Sequence, residues 1–149
     1  MRPHYETGED LLNETCCMSV VASRWGFVAH KLSAKTYRLD FALHTPDKRR
    51  VVMAFAEYKR RHVRSDKYPN YRLSLLKVQA ADSASVASGK PTVLVVEFDD
   101  GVWFARIAGL DRVMRGETII SGRTDRGDPA DEEPMVEFAV ADMTRLAGT

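Results

Sequence analysis

Glu57 and Lys59 stand two residues apart at the polar end of an apolar run, Val51-Val-Met-Ala-Phe-Ala-Glu-Tyr-Lys59. Such a run reads as a strand buried on both faces. Side chains alternate along a strand, so Val51, Met53, Phe55, Glu57 and Lys59 point one way. An acid and a base then share one face at the end of a buried strand. Charges there are costly unless paired, hydrated or bound to a metal. The plainer alternative is a strand end where the chain turns polar as it emerges into water.

Two further acids could join them. Tyr37 to Leu43 alternates, with Tyr37, Leu39, Phe41 and Leu43 on one side and Arg38, Asp40 and Ala42 on the other. If Asp47 to Arg50 form a four-residue loop, Pro46 faces Val51 and Asp40 lies opposite Glu57. Like charges so placed repel, and a bound cation would reverse that cost. A register shift of two leaves both acids on one face. Glu14 falls in the stripe Leu11, Thr15, Met18, Ala22 and Trp25 of a helix expected over Gly8 to Trp25, with Val21 at its margin and Gly26 ending it. It either turns inward and needs a partner, or sits at the stripe's edge and reaches water.

Other elements must position these groups. Phe27 to Leu32 reads as a short strand. Arg60 to Arg72 reads as a basic loop in which Arg60, Arg61, Arg64, Lys67 and Arg72 alternate with tyrosines, a pattern suited either to a phosphate backbone or simply to solvent. A second helix is expected over Leu73 to Ser88, burying Leu73, Leu76, Ala80, Ala84 and Ala87. Lys77, on the margin of that stripe, either snorkels or adds to the basic rim. Thr92 to Phe98 is a buried strand, Asp99-Asp-Gly101 a turn, and Val102 to Ile107 the returning strand. Beyond Ala108 the pattern is less regular, with a polar loop over Gly122 to Pro134 and an edge strand over Met135 to Val140.

The chain's 149 residues, 44% hydrophobic and 29% charged, suit one α/β domain over 1–149, with a core at about 9–107 and an extension at 108–149. The net charge of +1 gives no global pull toward nucleic acid, so any such partner must meet a local basic patch. Cys16 and Cys17 are adjacent, without the spacing of a zinc site, and read as reduced helix residues. His4, His30, His44 and His62 lie in separate elements without ligand spacing, and neither a GxxxxGK[ST] loop nor a GxSxG elbow is present. No apolar run could span a bilayer, and the N-terminus lacks a secretion signal, so an intracellular, cytoplasmic protein with no membrane partner is expected.

The order helix, strand, hairpin, helix, hairpin, with Asp40 before Glu57-x-Lys59 and Glu14 on the first helix, resembles the PD-(D/E)xK nuclease superfamily. Within it the chain looks most like the Holliday-junction resolvase branch. Glu14 stands before Trp25-Gly26-Phe27 as an acid does there, and Ala56-Glu-Tyr-Lys59 is similar to the branch's acid-x-lysine strand. Gly89-Lys-Pro-Thr-Val-Leu-Val-Val and Gly101-Val-Trp-Phe-Ala-Arg-Ile107 resemble its last core strands. Leu39 stands where the superfamily's name expects proline. The resemblance implies a central mixed sheet flanked by helices, an αβββαβ restriction-endonuclease-like core. It implies a DNA endonuclease acting on branched or structured DNA, and a homodimer. It further implies Mg2+, for which Mn2+ substitutes, held by Asp40 and Glu57, with Glu14 as a direct or water-mediated ligand and the Tyr58 carbonyl as a third candidate. Lys59 would orient the attacking water or stabilise developing charge. Spacing alone shows only that these groups can converge. A nuclease-fold DNA-binding protein without turnover and a non-enzymatic interaction protein are the competing readings.

Overall fold

In the computed structural model, which describes residues 8–109, 113–122, 125 and 127–149, the chain opens with helix α1, Gly8–Arg24. Its buried residues are Glu14, Met18, Val21 and Ala22, whereas Leu11 and Thr15 are exposed. The inward stripe is thus rotated from the expected one and places Glu14 inside it. Gly26, at φ +79°, turns the chain into strand β1, Val28–Lys31.

Strands β2, Phe41–His44, and β3, Val52–Arg60, form the expected antiparallel hairpin. Phe41 faces Ala56, Ala42 faces Phe55 and Leu43 faces Ala54, the register anticipated from loop length. A bulge between Leu43 and His44 then shifts the pairing by one, so Thr45 N–H, rather than Pro46, meets Val51. The loop is held by Asp47, whose Oδ1 accepts from Thr45 Oγ1 and from the Arg49 and Arg50 amides. Strand β2 starts at Phe41, later than the alternation from Tyr37 suggests. The Thr36 and Tyr37 amides bond back to the Ser33 carbonyl instead, which makes a turn.

The first sheet runs β1-β2-β3-β5-β6-β9, with β5 (Thr92–Phe98) parallel to β3, β6 (Gly101–Ala108) antiparallel to β5, and β9 (Thr144–Arg145) at the edge. Helix α2, Leu75–Ser88, lies in the crossover between β3 and β5. Ser74 caps it by accepting from the Leu76 amide, and Gly89 closes it in the left-handed region. It buries Val78, Ala81 and Ser85; Leu76 and Ala87 are exposed. Small apolar residues occur all round this helix, so periodicity does not single out the inward face.

The clearest departure lies after residue 69. The basic stretch ends in a strand, β4 (Asn70–Ser74), which takes in Leu73. It pairs with β8 (Glu132–Ala139), which pairs in turn with β7 (Thr118–Gly122). Strand β8 begins inside the expected polar loop and is central in this second sheet, not at an edge. Its Val136 and Phe138, with Tyr71 and Leu73 of β4, share one apolar cluster with Val78, Ala81, Leu94, Val96 and Ile107. On the other face of the first sheet, Met18, Val21 and Ala22 of α1 pack on Phe41, Leu43, Ala54, Ala56 and Tyr58. Cys16 and Cys17 on α1 are both free, and burial beside Glu97 pushes the Cys17 thiol up to about 12. No helix among the described residues is long and apolar enough to cross a membrane.

Because Phe138 is almost wholly buried in the cluster that α2 shares, Phe138→Ala should destabilise the whole fold by about 3–5 kcal/mol. Urea denaturation followed by both fluorescence and circular dichroism should keep a single shared transition. A separate early transition would show that the extension unfolds alone.

Candidate active site

The hairpin, α1 and α2 meet where β2 ends short of β3. At that point Asp40 replaces a missing ladder partner: its Oδ2 accepts from the Tyr58 amide at 2.9 Å, while its own carbonyl accepts from the Leu32 amide. Alternation then separates two groups of β3 residues. Ala54, Ala56 and Tyr58 face α1, whereas Phe55 packs toward α2. Glu57 and Lys59 share the Phe55 face, as their spacing requires.

Glu57 is completely buried. Lys59 Nζ stands 3.6 Å and Lys77 Nζ 3.1 Å from its Oε1. Neither Glu57 oxygen has a hydrogen-bond partner; Lys77 and Lys59 approach it as ion pairs. Lys77 points its ammonium at the Arg38 carbonyl as well. Desolvation, then the nearby Asp40 charge, pushes the Glu57 carboxyl up to about 7, against the lowering effect of Lys77 and Lys59. Glu14, buried on α1, comes from the opposite face of the sheet. Its Oε2 accepts from Lys31 Nζ at 3.0 Å, and the same ammonium lies 3.6 Å from Asp40 Oδ1. Glu14 and Asp40 are therefore linked through Lys31, whereas Glu57 is paired with Lys59 and Lys77. Among the described residues no three His, Cys, Asp or Glu side chains gather as a metal-holding group.

Lys31 is not among the candidates that sequence reasoning selects. The signal is present in the alternation Phe27, Ala29, Lys31, which puts Lys31 on the inward side of an edge strand, over the Phe41 ring. Lys77, marginal on the helix stripe, is in direct contact with Glu57. Of the basic rim, Arg60, Arg61, Arg72 and Lys77 line a groove of about 1180 Å³ together with Asp40 and Lys59. The second sheet supplies Ser121, Gly122 and Met135 to its other wall. Arg64 and Lys67 do not line it: Arg64 lies 3.6 Å from Asp100, and Lys67 sits over the Tyr68 ring. Arg72 is tied to Glu137 and Ser121, and Arg60 to Asp99.

The donor set suits a hard divalent cation, which takes carboxylate oxygens and retains several waters. The observation behind that fit is the pair of buried Glu57 oxygens without hydrogen bonds, beside a second carboxylate.

Comparison with known proteins identifies the family and the fold. The family model described as "Phage putative PDDEXK endonuclease" matches residues 1–146. The chain belongs to that family. It is also similar in structure to Hjc, a Holliday junction resolvase from Archaeoglobus fulgidus, with a TM-score of 0.60 over 91% of each chain and 12% sequence identity. At that identity the likeness shows the fold, which is the restriction-endonuclease-like core expected from the element order. No curated protein sequence matches the chain.

The raised Glu57 carboxyl links stability to pH. Folded Glu57 holds its proton between the ordinary 4.5 and about 7, whereas the unfolded chain has released it. Stability should therefore fall as pH rises through that window, by on the order of 3 kcal/mol for a shift of that size. Glu57→Gln should remove this component. Urea titrations of both proteins between pH 4 and 8, in EDTA, should give curves that diverge most above pH 7, with the variant more stable there.

Proposed function

We propose that this PDDEXK-family protein is a metal-dependent endonuclease that hydrolyses DNA phosphodiesters, with branched or structured DNA as its substrate. The observation that carries the reading is Glu57, buried without hydrogen bonds, with the Asp40 charge nearby and paired with Lys59, while Asp40 and Lys59 themselves line a basic groove. Asp40 and Glu57 would hold the cation, Mg2+ or Mn2+, with the Tyr58 carbonyl as a further ligand and Glu14 contributing through water. When bound, such a cation offsets the phosphate's charge and makes a water more acidic.

The remaining work falls to the chain's own residues. Lys59 offers an ammonium donor on the groove side of Glu57, where it can orient the attacking water or stabilise the charge that develops on phosphorus-bound oxygen. Lys31 pairs with both Glu14 and Asp40, offsets part of their charge and keeps their carboxylates oriented. Arg60, Arg61 and Arg72 line the approach and seat the phosphate backbone, with Lys77 at the groove floor. Arg64 and Lys67 would meet DNA only beyond the groove. A homodimer would give one such groove to each of two strands.

Nicking of plasmid and four-way-junction DNA tests this directly, with melting curves taken alongside. Lys59→Ala should lower cleavage by roughly 10²–10³, the usual loss for one preorganised electrostatic contact, while a metal-induced rise in melting temperature persists. Asp40→Ala should abolish both the cleavage and that rise. If the native protein cuts no DNA and gains no stability from metal, the reading fails and binding without turnover replaces it.

The groove arginines make a separate prediction. Arg61→Ala combined with Arg72→Ala should weaken DNA binding and flatten its salt dependence, because each lost phosphate contact releases fewer counterions. Fluorescence anisotropy across a salt series reads the slope; an unchanged slope would exclude this surface.

A further inference from the structure

Two exposed tyrosines line the groove that Asp40 and Lys59 also line. Tyr37 is 55% and Tyr68 51% exposed, and both line the groove alongside Asp40, Lys59 and Arg38. Tyr71, by contrast, is a core residue at 4% exposure. The two exposed rings sit on tethered turns. The Tyr37 amide bonds the Ser33 carbonyl, and Tyr68 precedes Pro69, whose carbonyl accepts from the Val140 amide. Lys67 Nζ lies 5.9 Å from the Tyr68 centroid, so a cation accompanies the ring.

Aromatic rings beside cations in a groove form a platform on which nucleic-acid bases stack, whatever their sequence, since every base has a π-face. In a continuous duplex those faces are covered by neighbouring pairs, and only bases that have left the stack can meet such a ring. We propose that Tyr37 and Tyr68 stack on unpaired bases, so that the groove takes a DNA strand which is single-stranded near the scissile bond, as at a branch, fork or flap, in preference to continuous duplex. This rests on the nuclease reading for the chemistry and on the two rings for the choice of strand.

The test uses the whole chain in EDTA, with a short single-stranded oligodeoxynucleotide carrying one 2-aminopurine and the same sequence fully paired. The native protein should bind the single strand more tightly and change the 2-aminopurine emission in step with binding. The combined Tyr37→Ala and Tyr68→Ala variant should lose on the order of tenfold in single-strand affinity for each ring and keep its duplex affinity. The matching Phe pair should retain the single-strand preference, because stacking needs the ring and not the hydroxyl. The rings have no such role if the Ala pair binds the single strand normally, if it loses both DNAs equally, or if the Phe pair fails as the Ala pair does. Cleavage is scored separately with Mg2+ on flapped and fully paired substrates. Cleavage with no single-strand preference sinks the stacking proposal alone; single-strand preference with no cleavage sinks the nuclease reading alone.

Discussion

Burial of the Glu57 carboxylate is the constraint on which the rest of this structure depends. Strand β3 is covered by α1 on one face and by α2 on the other and pairs in parallel with β5, which leaves Glu57 wholly buried just short of the part-exposed strand end. A carboxylate in that position cannot be neutralised by solvent. Its surroundings supply cations instead: Lys59 from the same strand and Lys77 from α2. Asp40 works against them from the end of β2, and the balance leaves Glu57 titrating near neutrality. A carboxyl so poised changes its protonation state near neutral pH.

The position of Asp40 follows from the same strand end. Strand β2 begins only at Phe41, so the Tyr58 amide would lack a partner if Asp40 did not accept from it. That hydrogen bond fixes the carboxylate and aims its other oxygen toward Lys31. Glu14 joins from the opposite side of the sheet through the same lysine. Glu14 and Asp40 thus share one ammonium group, while Glu57 keeps its own two.

The second sheet turns this strand end into a groove. Its apolar side completes the core that α2 and β5 begin, through Leu73, Val136 and Phe138. Its polar side clasps Arg72 between Glu137 and Ser121 and so orders part of the basic wall. An extension whose sequence is that of an irregular tail therefore has two physical tasks, which are core closure and groove formation.

Local pattern by itself determined a good deal. The apolar run into Glu57-Tyr58-Lys59 reads as a strand, and alternation put the acid and the base on one face whatever the neighbours were. Loop length set most of the β2–β3 register, and that register alone carries Asp40 toward Glu57. The element order was enough to suggest the nuclease core. Tertiary structure alone decided which helix faces turned inward: α2 scatters small apolar residues among Lys77, Gln79, Asp82 and its serines, and the buried side was chosen by what packed against it. It alone made β4 from a basic stretch, because Tyr71 and Leu73 gain their burial only from β8, more than sixty residues later. It also brought Lys31 between Glu14 and Asp40 and Lys77 onto Glu57. Periodicity reports which residues share a face within one element, whereas these contacts join separate elements across the sheet, and only the packed chain sets those distances.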